Sequence, residues 1–200
     1  MNAARYNDLP RVRMLLAGGA DLKARTAQGE TALYEAIYRA DQNADNLPVV
    51  DALLKAGADP NEKEFPTPLT LSLDIYGNPS VTLRLLQAGA NVPHECPSQN
   101  SGDSLVSLAT MDSSTEVMRE LIAKGSPVNC QFRGATALYW AALNGQSDRV
   151  ALLLNGGADP RQLDLDDVKT SSSDPRVQGD FAKTRQLLEQ ALNTNRPKMR

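Results

Sequence analysis

The chain has 200 residues, 41% of them hydrophobic and 22% charged, which is too apolar for a disordered chain and too mixed for a membrane-embedded one. A formal net charge of −3 offers none of the basic excess expected of a nucleic-acid binder. No apolar run reaches the roughly eighteen residues needed to span a bilayer, and residues 1–6 lack the apolar core of a secretory leader.

Residues 3–16 contain Ala3, Ala4 and then Val12, Leu15 and Leu16, which read as the end of one helix and the whole of a second. They lead into Leu15-Leu16-Ala17-Gly18-Gly19-Ala20-Asp21, and that phrase recurs. It returns as Leu53-Leu54-Lys55-Ala56-Gly57-Ala58-Asp59-Pro60-Asn61 and as Leu85-Leu86-Gln87-Ala88-Gly89-Ala90-Asn91. A weaker copy is Leu121-Ile122-Ala123-Lys124-Gly125-Ser126-Pro127-Val128-Asn129, and the last is Leu153-Leu154-Asn155-Gly156-Gly157-Ala158-Asp159-Pro160. The glycines at 19, 57, 89, 125 and 157 mark a repeat of about 33 residues, the signature of stacked units that each bury only one face alone. Each glycine follows a helix-forming stretch and predicts a left-handed C-terminal cap.

Upstream of each leucine pair lies a second phrase. It reads Thr31-Ala32-Leu33-Tyr34-Glu35-Ala36, then Thr67-Pro68-Leu69-Thr70-Leu71, then Asp103-Ser104-Leu105-Val106, and last Thr136-Ala137-Leu138-Tyr139-Trp140-Ala141-Ala142. The Thr or Asp at its head predicts a helix N-cap, and Pro68 suits the first turn. Residues 41–46 are an insertion between the helices of the second unit and predict a longer helix or a protruding loop. Gly77 to Ser80 predicts the inter-helix turn of the third. Past Pro160 the phrase stops. Residues 161–168 predict one short helix, residues 170–175 a turn, and residues 181–192 an amphipathic helix with Leu187, Leu188 and Leu192 inward.

Two phrases kept in phase over four or five copies resemble the ankyrin repeat, over residues 3 to about 160. The resemblance implies an all-α ankyrin-repeat solenoid of stacked helix-turn-helix units joined by short loops or hairpins. It divides a single domain into an N-terminal capping repeat (1–25), repeats at 26–61, 62–97, 98–129 and 130–160, a C-terminal capping repeat (161–193) and a basic tail (194–200). The histidine usual in the family's first helix is replaced by Tyr34, Thr70, Val106 and Tyr139, so the loops need another tie.

Catalytic and metal chemistry find little to stand on. His94 is the single histidine, and Cys96 and Cys130 are the only cysteines, with no C-x-x-C, no P-loop and no zinc ligand set. Asp164 to Asp167 reads as a helix N-terminus rather than a cation site. The cysteines occupy comparable loops of successive units. Two reduced thiols are expected, with a bridge as the alternative. His94 and Cys96 raise a remote Cys–His hydrolase alternative that lacks a third partner. No enzyme activity, cofactor or metal is expected.

What remains is binding. The resemblance places partner contacts on the loop before each capping residue and on the last turn of each first helix, along the concave face. Carried over, these are Gln28, Glu30, Tyr38 and Arg39, then Glu64, Pro66, Asp74 and Ile75. The next two units add Asn100, Gly102, Thr110 and Met111, then Phe132, Arg133, Leu143 and Asn144. Tyr38, Phe132, Ile75, Met111 and Leu143 stand out as apolar or aromatic residues at positions expected to be wet, since such anchors dominate protein interfaces. Trp140 is expected to pack in the stack.

The expected function is a protein-interaction module without catalysis, acting as an inhibitor of the immunity-protein or antitoxin kind or as an adaptor. The alternatives are a secreted effector, a recruiting subunit of a regulatory complex, or a fragment of a larger ankyrin protein. The expected partner is another protein, with no nucleic acid and no membrane, and the chain alone is expected to be monomeric. A cytoplasmic location is expected, or a periplasmic or secreted one if a leader has been removed.

Overall fold

The computed structural model describes residues 1–38, 45–62, 66–73, 78–97, 104–112, 114–132, 134–168 and 180–194, with the backbone alone for 111, 112 and 132. Residues 39–44, which include 41–44 of the insertion at 41–46, the turn at 170–175 and the tail at 195–200 lie outside these residues, as do Gly77 and Asp103. Among the described residues the chain is helical apart from one two-stranded hairpin, and it divides into two compact units, Met1–Asn91 and Val92–Arg200.

The first unit holds three helix pairs: α1 (Asn2–Arg5) with α2 (Leu9–Ala17), α3 (Ala32–Tyr38) with α4 (Leu47–Lys55), and α5 (Pro68–Leu71) with α6 (Pro79–Gln87). First helices pack on first helices, α1 against α3 and α3 against α5, and second on second, α2 against α4 and α4 against α6. The second unit holds α7 (Leu105–Asp112) with α8 (Thr115–Ala123), then α9 (Ala137–Leu143) with α10 (Ser147–Asn155), and finally α11 (Phe181–Thr194). There α7 packs on α9, α8 on α10, and α11 against both α9 and α10.

The caps form as the sequence dictates. The hydroxyls of Thr31, Thr67 and Thr136 accept hydrogen bonds from the backbone N–H groups of Tyr34, Thr70 and Tyr139, at 3.2, 3.2 and 3.3 Å. Asp8, Asn78 and Ser114 do the same for the second helices. The glycines at 19, 57, 89, 125 and 157 all sit at φ between 76° and 97°, which ends each second helix in the left-handed region that a side chain disfavours. The leucine pairs then fill the core: Leu53, Leu85, Leu121 and Leu153 are buried against their neighbours, while Leu15 on α2 stays 44% exposed.

Three local expectations are corrected. Residues 161–168 form two 3₁₀ turns, Pro160–Gln162 and Leu165–Asp167, in place of one short helix. Each is capped by the aspartate before it, Asp159 or Asp164, the second being the first residue of the acidic cluster. In α11 the residues turned fully inward are Phe181, Thr184 and Leu188, whereas Leu187 and Leu192 are half-buried.

The third correction concerns the cysteines. Cys96 and Cys130 are joined in a disulfide, with their Cα atoms 5.3 Å apart, instead of standing as two thiols. The stacking supplies the reason. Equivalent loops of successive repeats lie side by side, so cysteines at equivalent positions fall within bridging distance.

Candidate interaction surfaces

Loop-to-loop ties come from residues that the sequence reading did not single out. The Asn61 carboxamide donates to the carbonyl of Gly89 at 3.0 Å and accepts from the N–H of Asn91 at 2.6 Å, fastening its loop to the next repeat. The adjacent residue, Glu62, reaches the other way: its buried carboxylate accepts from the Thr31 hydroxyl of the preceding repeat. Burial raises the pKa of Glu62, a rise that the hydrogen bond from Thr31 partly offsets. In the second unit Asn129 repeats the clamp on Gly157 and Asp159, at 3.0 and 2.8 Å. The signal was present, because both asparagines close the repeated phrase. These carboxamides provide ties between loops in a chain whose first helices lack the family's histidine.

On this frame the first unit presents an aromatic surface. The guanidinium of Arg5 on α1 grips the buried carboxylate of Glu35 on α3 through two hydrogen bonds, of 3.0 and 2.8 Å. Glu35 raises the pKa of Arg5, by hydrogen bond first and by charge second. The fork fixes α1 and α3 against each other. Beside it, Tyr6 ends α1 and Tyr38 ends α3, 75% and 50% exposed. The Tyr38 ring leans on that of Tyr34, with centroids 5.6 Å apart. Tyr38 was expected here. Tyr6 was missed because the truncated first unit gave no complete phrase against which to align it, although Asn7 directly after it takes φ 53° where the later copy has Gly145 at φ 63°.

The other expected contact residues fall out unevenly. Gln28 is exposed, and Glu30 is half-buried, accepting from the Thr26 hydroxyl at 3.1 Å. Pro66 and Leu143 are half-buried. Asn144 is exposed and donates to the Trp140 carbonyl at 2.9 Å, one turn back in its own chain. Thr110 is a correction. It is 2% exposed, its hydroxyl spent on the carbonyl of Val106, because this side of α7 turns into the core. Arg39, Glu64, Asp74, Ile75, Asn100, Gly102 and Arg133 lie outside the described residues, as do the side chains of Met111 and Phe132.

The second unit carries an open cleft of about 780 Å³ between the hairpin, the start of α9 and the turn at Gln162. The hairpin pairs β1 (Gln131–Phe132) with β2 (Ala135–Thr136), and Cys130 anchors its base through the disulfide. Tyr139 and Trp140 stand in the cleft edge to face, with centroids 5.7 Å apart and ring planes at 86°. Trp140 was expected to be packed in the stack. It is instead only half-buried and lines this opening. Cys96, its sulfur committed to Cys130, cannot serve as a thiolate nucleophile, and His94 directs Nδ1 at the carbonyl of Gly125, 3.3 Å away. The Cys–His alternative loses its nucleophile. No described helix is long and apolar enough to cross a membrane.

Comparison with known proteins agrees with this architecture. A family profile for ankyrin repeats in three copies matches residues 69–164, and one for the single ankyrin repeat matches residues 28–64. The chain is 29% identical over 170 residues to a mitochondrial disaggregase of Bos taurus, and 31% identical over 166 residues to that of Homo sapiens. Each match covers 81% of this chain but only 19% and 22% of those proteins, so the chain spans about a fifth of their length. It is also 31% identical over 132 residues to the ankyrin repeat domain-containing protein SAT10 of Stachybotrys chartarum, across 64% of this chain and 6% of that protein. Among solved structures, an ankyrin repeat domain from Acinetobacter baumannii superposes with a TM-score of 0.69 at 28% identity, covering 94% of this chain and 95% of that one. With two profiles of one family across both units and the same fold in a crystal structure, the chain belongs to the ankyrin-repeat family, whose repeats serve protein–protein interaction.

Proposed function

We propose that the chain acts without catalysis of its own by occupying the surface of a partner protein, as an inhibitor of the immunity-protein or antitoxin kind or as an adaptor. The observation that carries this reading is the pair of exposed tyrosines, Tyr6 and Tyr38, at the ends of two first helices locked by the Arg5–Glu35 fork. Large aromatic side chains held on a rigid support cost little entropy on binding and make efficient anchors. Gln28 and Glu30, in the loop before α3, add polar groups in the same repeat. The test is affinity capture by the intact protein beside a Tyr6→Ala/Tyr38→Ala variant. A partner retained equally by both removes this surface from consideration. An assay of the captured partner's own activity then separates inhibitor from adaptor, since only an inhibitor lowers it.

A second reading, as a recruiting part of a larger assembly, is favoured by the curated relatives, which carry the matching segment within much longer chains. The disulfide bears on location. A bridge in a chain with two cysteines favours an oxidising compartment over the cytoplasm.

A further inference from the structure

Four residues after each of the first four repeat glycines, the chain holds Lys23, Asn61, Pro93 and Asn129 in turn. At Asn61 and Asn129 the carboxamide donates to the glycine carbonyl of the following repeat and accepts from the N–H two residues on, that of Asn91 or Asp159. Lys23 has no carboxamide, and its joint is crossed by the Thr31–Glu62 bond. At Pro93 both halves of the clamp are gone. Its side chain cannot hydrogen-bond, and Pro127, which stands where Asn91 and Asp159 stand in their repeats, has no N–H to give. Two other contacts occupy this joint, and both lie within the second unit. His94 turns Nδ1 to the carbonyl of Gly125 at 3.3 Å, the equivalent of the glycine carbonyls that Asn61 and Asn129 use. Cys96 is bonded to Cys130.

We propose that the cysteine pair is a redox latch for this joint, open in the reduced chain and closed by a disulfide oxidant. A clamp of the Asn61 kind would hold the joint in either redox state. Two prolines and two cysteines at this register make its closure depend on the oxidant instead. The His94 hydrogen bond is exposed, so water competes for it and it holds the loops only weakly. Closing is thiol–disulfide exchange. Cys96 is exposed and Cys130 is buried, so the Cys96 thiolate attacks first. It bonds to one sulfur of the oxidant and expels the other as a thiolate. The Cys130 thiolate then attacks the Cys96 sulfur and expels the second. The two protons lost by the cysteines end on the two departing thiolates, and the chain keeps one S–S bond. Strand β1 begins at the residue after Cys130, so closure also fixes the base of the hairpin.

Hydrogen exchange without denaturant reads the latch directly. Over residues 92–97 and 125–132 it is expected to be slow in the oxidised protein. It should be about tenfold faster or more in protein folded under reductant or carrying Cys96→Ser/Cys130→Ser. Oxidised glutathione added to the reduced protein should restore slow exchange and leave the serine variant as it was. The amides of Asn91 and Asp159, held by asparagine clamps, should not change in any of these states. Adding Pro93→Asn and Pro127→Asp to the serine variant builds the clamp of Asn129 and Asp159 into this joint. That should slow its exchange again with no oxidant present. His94 is the only histidine in the chain, so its ring resonances report the joint independently and should move toward those of free histidine on reduction. They decide the matter if the clamp variant does not fold. Indifference of either reading to redox state overturns the proposal. So does faster exchange spread evenly over residues 92–200, which would make the bridge a staple of the whole unit. A folded clamp variant that exchanges as fast as its serine parent also overturns it.

Discussion

Glu62 sits where a carboxylate is costly, and its partner Thr31 is a residue with two tasks. The same hydroxyl accepts from the Tyr34 N–H to cap α3 and donates to Glu62 across the repeat boundary. Thr31→Val keeps the shape and loses both, so a loss of about 2 kcal/mol in denaturant unfolding is expected, a cap and a buried charge-assisted bond together. The pH dependence follows from burial, which raises the folded-state pKa of Glu62 above its unfolded value. The folded chain therefore holds this proton more tightly. The contribution of Glu62 to stability is greatest in acid, falls as pH rises through the ordinary glutamate range to the folded pKa, and is level beyond it. Glu62→Gln still accepts from Thr31 and has no proton to lose. The stability difference between Glu62→Gln and the parent should thus grow in favour of the variant from about pH 4 to pH 7. A difference that shrinks over that range would show that the hydrogen bond outweighs burial. Arg5 presents the opposite case. Arg5→Met strands the carboxylate of Glu35, which is 1% exposed, and should lower the melting temperature far more than Arg11→Ala at an exposed site.

At the scale of the element, each repeat is closed by a glycine that ends the second helix and an asparagine that holds the next loop. Gly57→Ala places a side chain at φ 97° and should cost about 1–2 kcal/mol, although the space around it is empty. Asn61→Ala and Asn129→Ala each remove two neutral hydrogen bonds between loops, so a loss of about 1–2 kcal/mol apiece is expected. Hydrogen exchange should show the loss at the amides of Asn91 and Asp159 first. The helices, their caps and their glycine stops were legible in the sequence because each depends on residues within one turn of one another. The clamp partners were not, because Asn61 and Gly89 are brought together only when two repeats stack. The same holds for Thr110: periodicity places it at the end of a helix, but which side of that helix is covered is decided by α8 and α9. Tyr38 was legible as an exposed aromatic through alignment with its fellow repeats, and Tyr6 was hidden by an incomplete first copy.

For the molecule as a whole, the Cys96–Cys130 bridge is the one covalent link between residues distant in sequence, and its weight can be reckoned from the chain it closes. The two cysteines are 34 residues apart, a loop whose closure in the unfolded chain is worth about 3–4 kcal/mol on the chain-entropy account. It falls entirely within the second unit, so its removal should act there first. In urea with a strong reductant, the unfolding of residues 92–200 is expected at lower denaturant than in its absence, while Met1–Asn91 responds less. Trp140 reports the second unit by fluorescence, and hydrogen exchange separates the first. A Cys96→Ser/Cys130→Ser variant should match the reduced protein and be indifferent to reductant. Its companion measurement is thiol labelling of the untreated protein under denaturing conditions, where an intact bridge leaves nothing to label. Full labelling would restore the two-thiol reading. Cys130 is 2% exposed whereas Cys96 lies at the surface, so a reductant reaches the bridge from the Cys96 side and must expel a thiolate into a buried site. Burial disfavours that thiolate. Reduction of the folded protein should therefore lag well behind reduction in denaturant, and equal rates in the two conditions would show that the Cys130 side opens freely.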